Sequence, residues 1–442
     1  PSDIVITILS QKEGYHSAQA NFLKKSILES ADALQKDHPH VVLSHEIDDE
    51  EISRGSWTFY PLIPMLATKY ADSQWYFFCL ENTAIRLEKL LTTLAAFNSS
   101  SDMWLGHVLR DKERTIIHHF RDTKKSLKYP NLVSGFAISQ SLMKTLNERL
   151  ANEGFPVDQF SIDAPHEFAL YIYNDGNGTR LTHSTAFCVV PRRKCATYPK
   201  LFYRCGEPVS TDKIFFAVKT FDENHGTRIP ILQQTWLKLA KNHALFSNKE
   251  DPNLKDIVVV ADTKKGHCLK TFEMLQYANK IAEEKGFDWI VVADDDTIIS
   301  IARLSRLLSC YNPNDSVAIG ERYGFYARDP SGYDYLTGGA GLVLSASLVN
   351  EIVTSETCTC PTPTTPDDMY LFGNCLQKLG YPPIHSIMFH QARPNDYADK
   401  LLASQEPLSF HQFWVIDPIK VYVLWFADDD DGFESHPLHP EL

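Results

Sequence analysis

The chain has 442 residues and a formal net charge of −13, with 43% hydrophobic, 12% aromatic and 22% charged positions. This is globular composition, and the length favours at least two domains with sizeable cores. The acid excess without a basic stripe argues against a nucleic-acid or anionic-membrane surface, and no window reaches the roughly 18–20 apolar residues of a membrane span.

In chain order, Pro1 runs at once into the strand-like "DIVITIL", which reads as the start of a mature or trimmed product. "IVITILSQKEGYHSAQANFLKKSIL" from Ile4 predicts a buried strand, a polar turn carrying His, and an amphipathic helix. "SQWYFFCLENTAIRLEKLLTTL" from Ser73, "LVSGFAISQSLMKTLNERL" from Leu132 and "DAPHEFALYIYNDG" from Asp163 follow as further strand and helix segments. "VVPRRKCATYPKLFYRCGEPVS" is basic and aperiodic and reads as a linker over 191–212, pinned by a disulfide through Cys195 or Cys205. The four patterns then recur in order: "IFFAVKTFDENHGTRIPILQQTWL" from Ile214, "DWIVVADDDTIISIARLSRLLS" from Asp288, "LTGGAGLVLSASLVNEIV" from Leu336 and "TTPDDMYLFGNCLQKLG" from Thr364. Four ordered matches predict two α/β domains of similar fold, over 1–190 and 213–442, each with a mostly parallel sheet. In such sheets ligands bind at the carboxyl ends of the strands.

The nine cysteines include no CxxC pair, and three sequons begin at Asn98, Asn177 and Asn314. Together they point to a secretory-pathway protein with several disulfides and at least one thiol left over. The terminal "ADDDDGFESHPLHPEL" reads as a solvated, disordered end whose last two residues match a retrieval signal of the KDEL type.

The chemistry gathers in the second copy. Asp294, Asp295 and Asp296 end an apolar strand, and a divalent cation would offset their mutual repulsion; oxygen ligands suit Mn²⁺ or Mg²⁺. Alternation sends Asp294 and Asp296 to one side and Asp295 to the other. A solvated turn or a helix cap is the bland reading of such a triplet. The first copy, however, carries Leu80-Glu81-Asn82 there, so the fold alone does not demand three acids. Likewise Asp367 and Asp368 of "PDDM" face His166 and Glu167 of "PHEF", and His390 of "HSIMFHQ" faces Cys188. The glycines of "LTGGAG" permit close backbone approach to a ligand or positive φ; a tight turn is the alternative. Lys219, Thr220 and Arg228 follow the second copy's first strand, where they meet phosphate or remain ordinary surface groups.

This ordered set, "FFAVKT", "R…TW", "ADT", "DDD", "TGGAG", "PDDM" and "FHQ", resembles the Fringe-like β1,3-glycosyltransferases and covers nearly all of 213–442. The doubled arrangement is similar to the branch that adds glucose to O-linked fucose on folded thrombospondin type 1 repeats. The resemblance implies two tandem GT-A (Rossmann-like) α/β domains with the first degenerate, UDP-glucose as donor, and a soluble resident of the endoplasmic reticulum lumen. Carried onto matching positions, it implies Mn²⁺ (Mg²⁺ as the alternative) held by Asp296 and His390 with support from Asp294. It places Lys219, Thr220, Arg228, Asp262, Asp294 and Asp295 at the donor, and Gly338 and Gly339 where the sugar needs room. Asp368 is implied as general base, with Asp367 as the fallback. Two rival readings stay open: the same fold using another UDP-sugar such as UDP-N-acetylglucosamine, and a glycan-binding or chaperone-like module without catalysis.

Overall fold

The computed structural model describes residues 2–120, 127–202 and 204–433, so the terminal "HPEL" lies outside the described residues. Two units emerge: one holds Pro1–Phe202, Tyr326–Gly332 and Asn395–Glu406, the other Tyr203–Phe325, Tyr333–Pro394 and Pro407–Leu442.

In the first unit a six-stranded sheet is built from β1 (Ile4–Leu9), β2 (His40–Leu43), β3 (Trp75–Leu80), β5 (Trp104–Gly106), β6 (Phe136–Ser139) and β7 (Thr182–His183). Its order is β2-β1-β3-β6-β5-β7. Every residue of β1, "IVITIL", is buried, as expected for a β-branched strand covered on both faces. A short antiparallel ribbon joins β4 (Thr83–Ile85) to β8 (Thr197–Pro199). The helices α1 (Gly14–Ala33) and α2 (Ala164–Tyr173) belong to this unit; Asp163 caps α2 by accepting the His166 amide.

The second unit has β9 (Ile214–Lys219), β10 (His243–Ser247), β11 (Ile257–Val259), β12 (Trp289–Asp294), β14 (Ala318–Gly320), β15 (Leu342–Ser345) and β16 (Ile384–His385) in the order β11-β10-β9-β12-β15-β14-β16. A second antiparallel ribbon joins β13 (Thr297–Ile299) to β17 (Ser409–His411). Five helical segments matter below: α3 (Cys268–Lys285), α4 (Ile301–Leu308), the single turn α5 (Asp367–Met369), α6 (Pro418–Trp425) and α7 (Ala427–Phe433). Leu344, Leu348, Met274 and Leu275 are fully buried in its core.

Three expectations change. Residues 326–332 and 395–406, read as part of the 213–442 domain, cluster with the first unit. There the Arg328 guanidinium donates to the Pro156 carbonyl (2.7 Å) and lies 4.7 Å from the Tyr60 ring, while Asn131 donates to Ser404 Oγ (2.9 Å). The supposed linker is partly sheet, because Thr197–Pro199 pairs with Thr83–Ile85; its cysteines form Cys188–Cys195 and Cys205–Cys310. The acidic tail is not wholly solvated. Asp430 is fully buried, and Asp429 pairs with Arg303 at 2.6 Å. Cys268–Cys360 and Cys358–Cys375 complete the disulfides, and buried Cys79 is free. No helix among the described residues is long and apolar enough to cross a membrane.

Candidate active site

Strand β12 delivers its acids to the carboxyl end of the second sheet. The register pairs Asp294 with Lys219 on β9, and the Lys219 ammonium sits 3.2 Å from Asp294 Oδ1 and 2.7 Å from Asp367 Oδ2. Asp295 turns the other way. It accepts from Thr220 Oγ1 (2.7 Å), Asn224 Nδ2 (2.9 Å) and Arg228 Nη1 (2.7 Å). Burial raises its pKa above the carboxylate norm even against Arg228. Both its oxygens are thus engaged by protein donors, Oδ1 by Arg228 and Oδ2 by Thr220 and Asn224. The same Nη1 lies 3.0 Å from Asp296 Oδ2.

The ribbon brings the histidine. Thr297 pairs with His411, and the Gln412 amide donates to the Asp296 carbonyl (3.1 Å), which sets His411 Nε2 3.0 Å from Asp296 Oδ1. One ligand atom each from Asp294, Asp296 and His411 lies within 4.8 Å of the others. His411 Nδ1 is 3.0 Å from the Gln391 carbonyl; donating there leaves Nε2 facing the carboxylates, the orientation an imidazole ligand needs. Burial pulls the His411 pKa down, but Asp296 and Asp294 raise it above its ordinary value, so these carboxylates draw positive charge to this point. Two carboxylates and an oriented imidazole fit Mn²⁺ or Mg²⁺.

The histidine expected here was His390. The structure places it elsewhere, buried, with its ring 5.1 Å from Phe410 and Nδ1 3.1 Å from the Met388 carbonyl oxygen. Its tripeptide Phe389-His390-Gln391 recurs as Phe410-His411-Gln412, and only the second copy sits on the ribbon opposite the acids.

The glycine loop serves these groups. A Cβ on Gly339 would stand 2.4 Å from His411 Cε1 and 2.7 Å from Gln391 Nε2, so that glycine makes room for His411. Gln391 Oε1 accepts from Thr337 Oγ1 (2.6 Å) and the Ala340 amide (2.7 Å), fixing the loop. The Gly338 amide donates to Asp368.

The acidic pair divides sharply. Asp367 is buried, and although burial opposes ionisation, Lys219 and Thr271 (Oγ1 2.5 Å from Oδ2) hold its pKa below the usual range. Asp368 meets only amides, from Met369 (2.8 Å) and Gly338, among its described hydrogen bonds. Burial and then the charge of Asp367 push it up to about 6. A half-buried carboxylate ionised at neutral pH with a raised proton affinity is suited to accept a proton. Asp262 is exposed on the loop after β11. Thr220 is buried against Asp295. Thr271, Asn224, Gln391 and His411 were not anticipated; the repeated "FHQ" was the one available signal.

A Fringe-like family model matches residues 209–432. The chain is 41% identical over 97% of its length to a mouse protein named beta-1,3-glucosyltransferase, covering 87% of that protein. It is 42% identical to the human protein of that name, over 97% of this chain and 86% of the relative. A Xenopus laevis radical fringe, named a beta-1,3-N-acetylglucosaminyltransferase, is 29% identical over 42% of this chain and 61% of its own.

Proposed function

The chain belongs to the Fringe-like family of glycosyltransferases, and from that premise we propose that it transfers glucose from UDP-glucose, with inversion, to the 3-hydroxyl of O-linked fucose on folded thrombospondin type 1 repeats. The observation that carries an enzymatic reading over a binding module is Asp368: a raised, half-buried carboxylate beside the glycine loop that also braces His411. A binder has no need of a base there.

In this reading Asp368 takes the proton of the attacking hydroxyl as its oxygen bonds to the anomeric carbon from the face opposite the diphosphate. The carbon–phosphate-oxygen bond breaks as that bond forms, and UDP departs with the electron pair. A divalent ion held by Asp294, Asp296 and His411 supplies, when bound, charge that stabilises the leaving diphosphate. Arg228, aimed by Asp295, adds fixed positive charge to the same region. Lys219, between Asp294 and Asp367, offsets one of their two negative charges from within the protein. The GT-A architecture, a non-catalytic first unit and residence in the endoplasmic reticulum lumen belong to the same proposal, and four disulfides suit an oxidising compartment.

Mass spectrometry of a fucosylated repeat incubated with UDP-glucose, with and without Mn²⁺, tests it. A hexose added only with the metal is the expected result. A donor panel including UDP-N-acetylglucosamine decides the sugar, and no product from any donor rejects transfer altogether.

A further inference from the structure

The segment carrying the acidic pair has little regular structure of its own: Pro361, Pro363 and Pro366 interrupt it, and α5 is a single turn of three residues. Its position is imposed from outside. The Asp367 amide donates to the Gly266 carbonyl (2.7 Å), and the Cys268 amide donates to the Thr365 carbonyl (3.1 Å). Gly266 has φ +75°, and a Cβ there would lie 1.9 Å from the Thr364 oxygen, so only glycine allows the two backbones to meet. Cys268–Cys360 ties the start of α3 to the segment, and Cys358–Cys375 ties the segment to the helix beyond it. One turn into α3, the fully buried Thr271 hydroxyl reaches Asp367 Oδ2 at 2.5 Å, and Lys219 reaches the same oxygen from β9 at 2.7 Å.

We infer that Thr271 and Lys219 clamp Asp367 as a positioning residue, and that this clamp fixes where the neighbouring Asp368 meets the acceptor hydroxyl. The inference rests on the transfer reading above and deepens it. Asp367 turns its charge and its Oδ2 oxygen to protein donors, Lys219 and Thr271. It is the anchor of the pair; Asp368, anchored one residue away, is free to face the acceptor. Lys219 also touches Asp294, so the clamp holds the base at a set distance from the carboxylates that gather at the donor. A misplacement near 1 Å costs an enzyme about 100-fold, so a single buried hydroxyl is a sufficient lever.

The test is Thr271→Val, which removes the hydroxyl and keeps the shape and bulk, assayed against wild type with whichever UDP-sugar the donor panel selects. That choice keeps the clamp readable even if glucose proves to be the wrong sugar. The transfer kcat should fall roughly 10- to 100-fold while donor KM and UDP affinity hold, and Thr271→Ser should restore the rate. In an Asp367→Asn background Thr271→Val should add no further loss, because both act through one group. Thr271→Ala, with no added bulk, provides the same comparison if the valine enzyme proves unstable. A folded Thr271→Val enzyme with wild-type kcat overturns the clamp. So does a loss shared equally by donor affinity, which would place Thr271 behind the donor, or a fully additive double mutant.

Discussion

The two sheets run their six shared strands in one order and with one pattern of directions. Parallel β2-β1-β3, antiparallel β3-β6-β5 and parallel β5-β7 match parallel β10-β9-β12, antiparallel β12-β15-β14 and parallel β14-β16. The turn after the third strand is kept in detail. Thr83 Oγ1 accepts the Leu80 amide (3.2 Å) as Thr297 Oγ1 accepts the Asp294 amide (3.1 Å). The Lys200 amide donates to the Asn82 carbonyl (2.8 Å) as the Gln412 amide does to that of Asp296 (3.1 Å). Registers therefore match side chains one by one. Leu9 stands for Lys219, Leu80-Glu81-Asn82 for the three acids, and Pro199 for His411. Backbone geometry here needs the threonine and the ribbon; it needs neither the acids nor the histidine.

Where the first unit keeps charge, it turns it inward. Glu81 pairs with His16 (2.5 Å), and Glu167, in the place of Asp368, accepts the Ile162 amide (2.7 Å). The largest expected contrast lies at this last pair of positions. Asp368→Asn should lower transfer ~10²–10⁴-fold and leave UDP binding intact, while Glu167→Gln should leave transfer unchanged. The kcat of the unmodified enzyme should fall as pH drops through about 6, and Asp368→Asn should abolish that limb. A pH-independent rate from pH 5 to 8 would remove Asp368 as the base.

Next in size is the histidine. His411→Ala should weaken Mn²⁺-dependent UDP binding by more than the roughly 10–100-fold that losing an outer-shell partner costs, measured by titration calorimetry. His390→Ala should leave that affinity near wild type. Equal losses in both would show that the ribbon's fold, not ligation, is being read.

That pair also marks the limit of sequence reading. Strand run, acid triplet, glycine loop and acidic pair are each contiguous, and each was legible as a local pattern with a doubled counterpart. His411 was not, because its role depends on an antiparallel ribbon between residues more than a hundred positions apart, and the same "FHQ" occurs at 389–391. Thr271 faces the same obstacle: nothing about one threonine in a helix announces a carboxylate ninety-six residues later. Non-local pairing, not residue chemistry, hid these groups.

A smaller effect separates the units by pH. In the first unit buried His118 lies between Asp111 (2.6 Å) and Asp163 (2.8 Å), stacked on His166 with ring centroids 3.5 Å apart. Both His118 nitrogens face a carboxylate, Nδ1 that of Asp111 and Nε2 that of Asp163, which is the arrangement a protonated imidazole takes. Burial lowers the His118 pKa, but the two carboxylates outweigh it and raise it to about 9. A raised pKa means the stabilisation is complete below the unfolded value of 6.5 and is lost as pH climbs through about 9. Between those limits the unfolding midpoint of the first unit should drop by a few degrees, and His118→Asn should flatten that drop. An identical slope in the variant would assign the titration to another group.

The smallest contrast concerns helix ends. In the second unit Asp430, brought back by α6 and α7, accepts from Ser300 Oγ (2.8 Å), the Ala302 amide (2.9 Å) and the Tyr422 hydroxyl (2.8 Å), so it joins Ser300 in capping α4. The matching helix of the first unit, Leu87–Ala95, starts at Arg86 with no side-chain cap. Caps of this kind contribute ~0.5–2 kcal/mol. Burial raises the Asp430 pKa despite those donors, so part of its capping strength is offset by desolvation and the effect should fall in the lower half of that range. Asp430→Ala should therefore lower the second unit's midpoint by about 2–4 °C and leave the first unit's where it was. No shift, seen by calorimetry, would mean that α4 is held by packing of Ile301, Leu304 and Leu308 without help from its return segment.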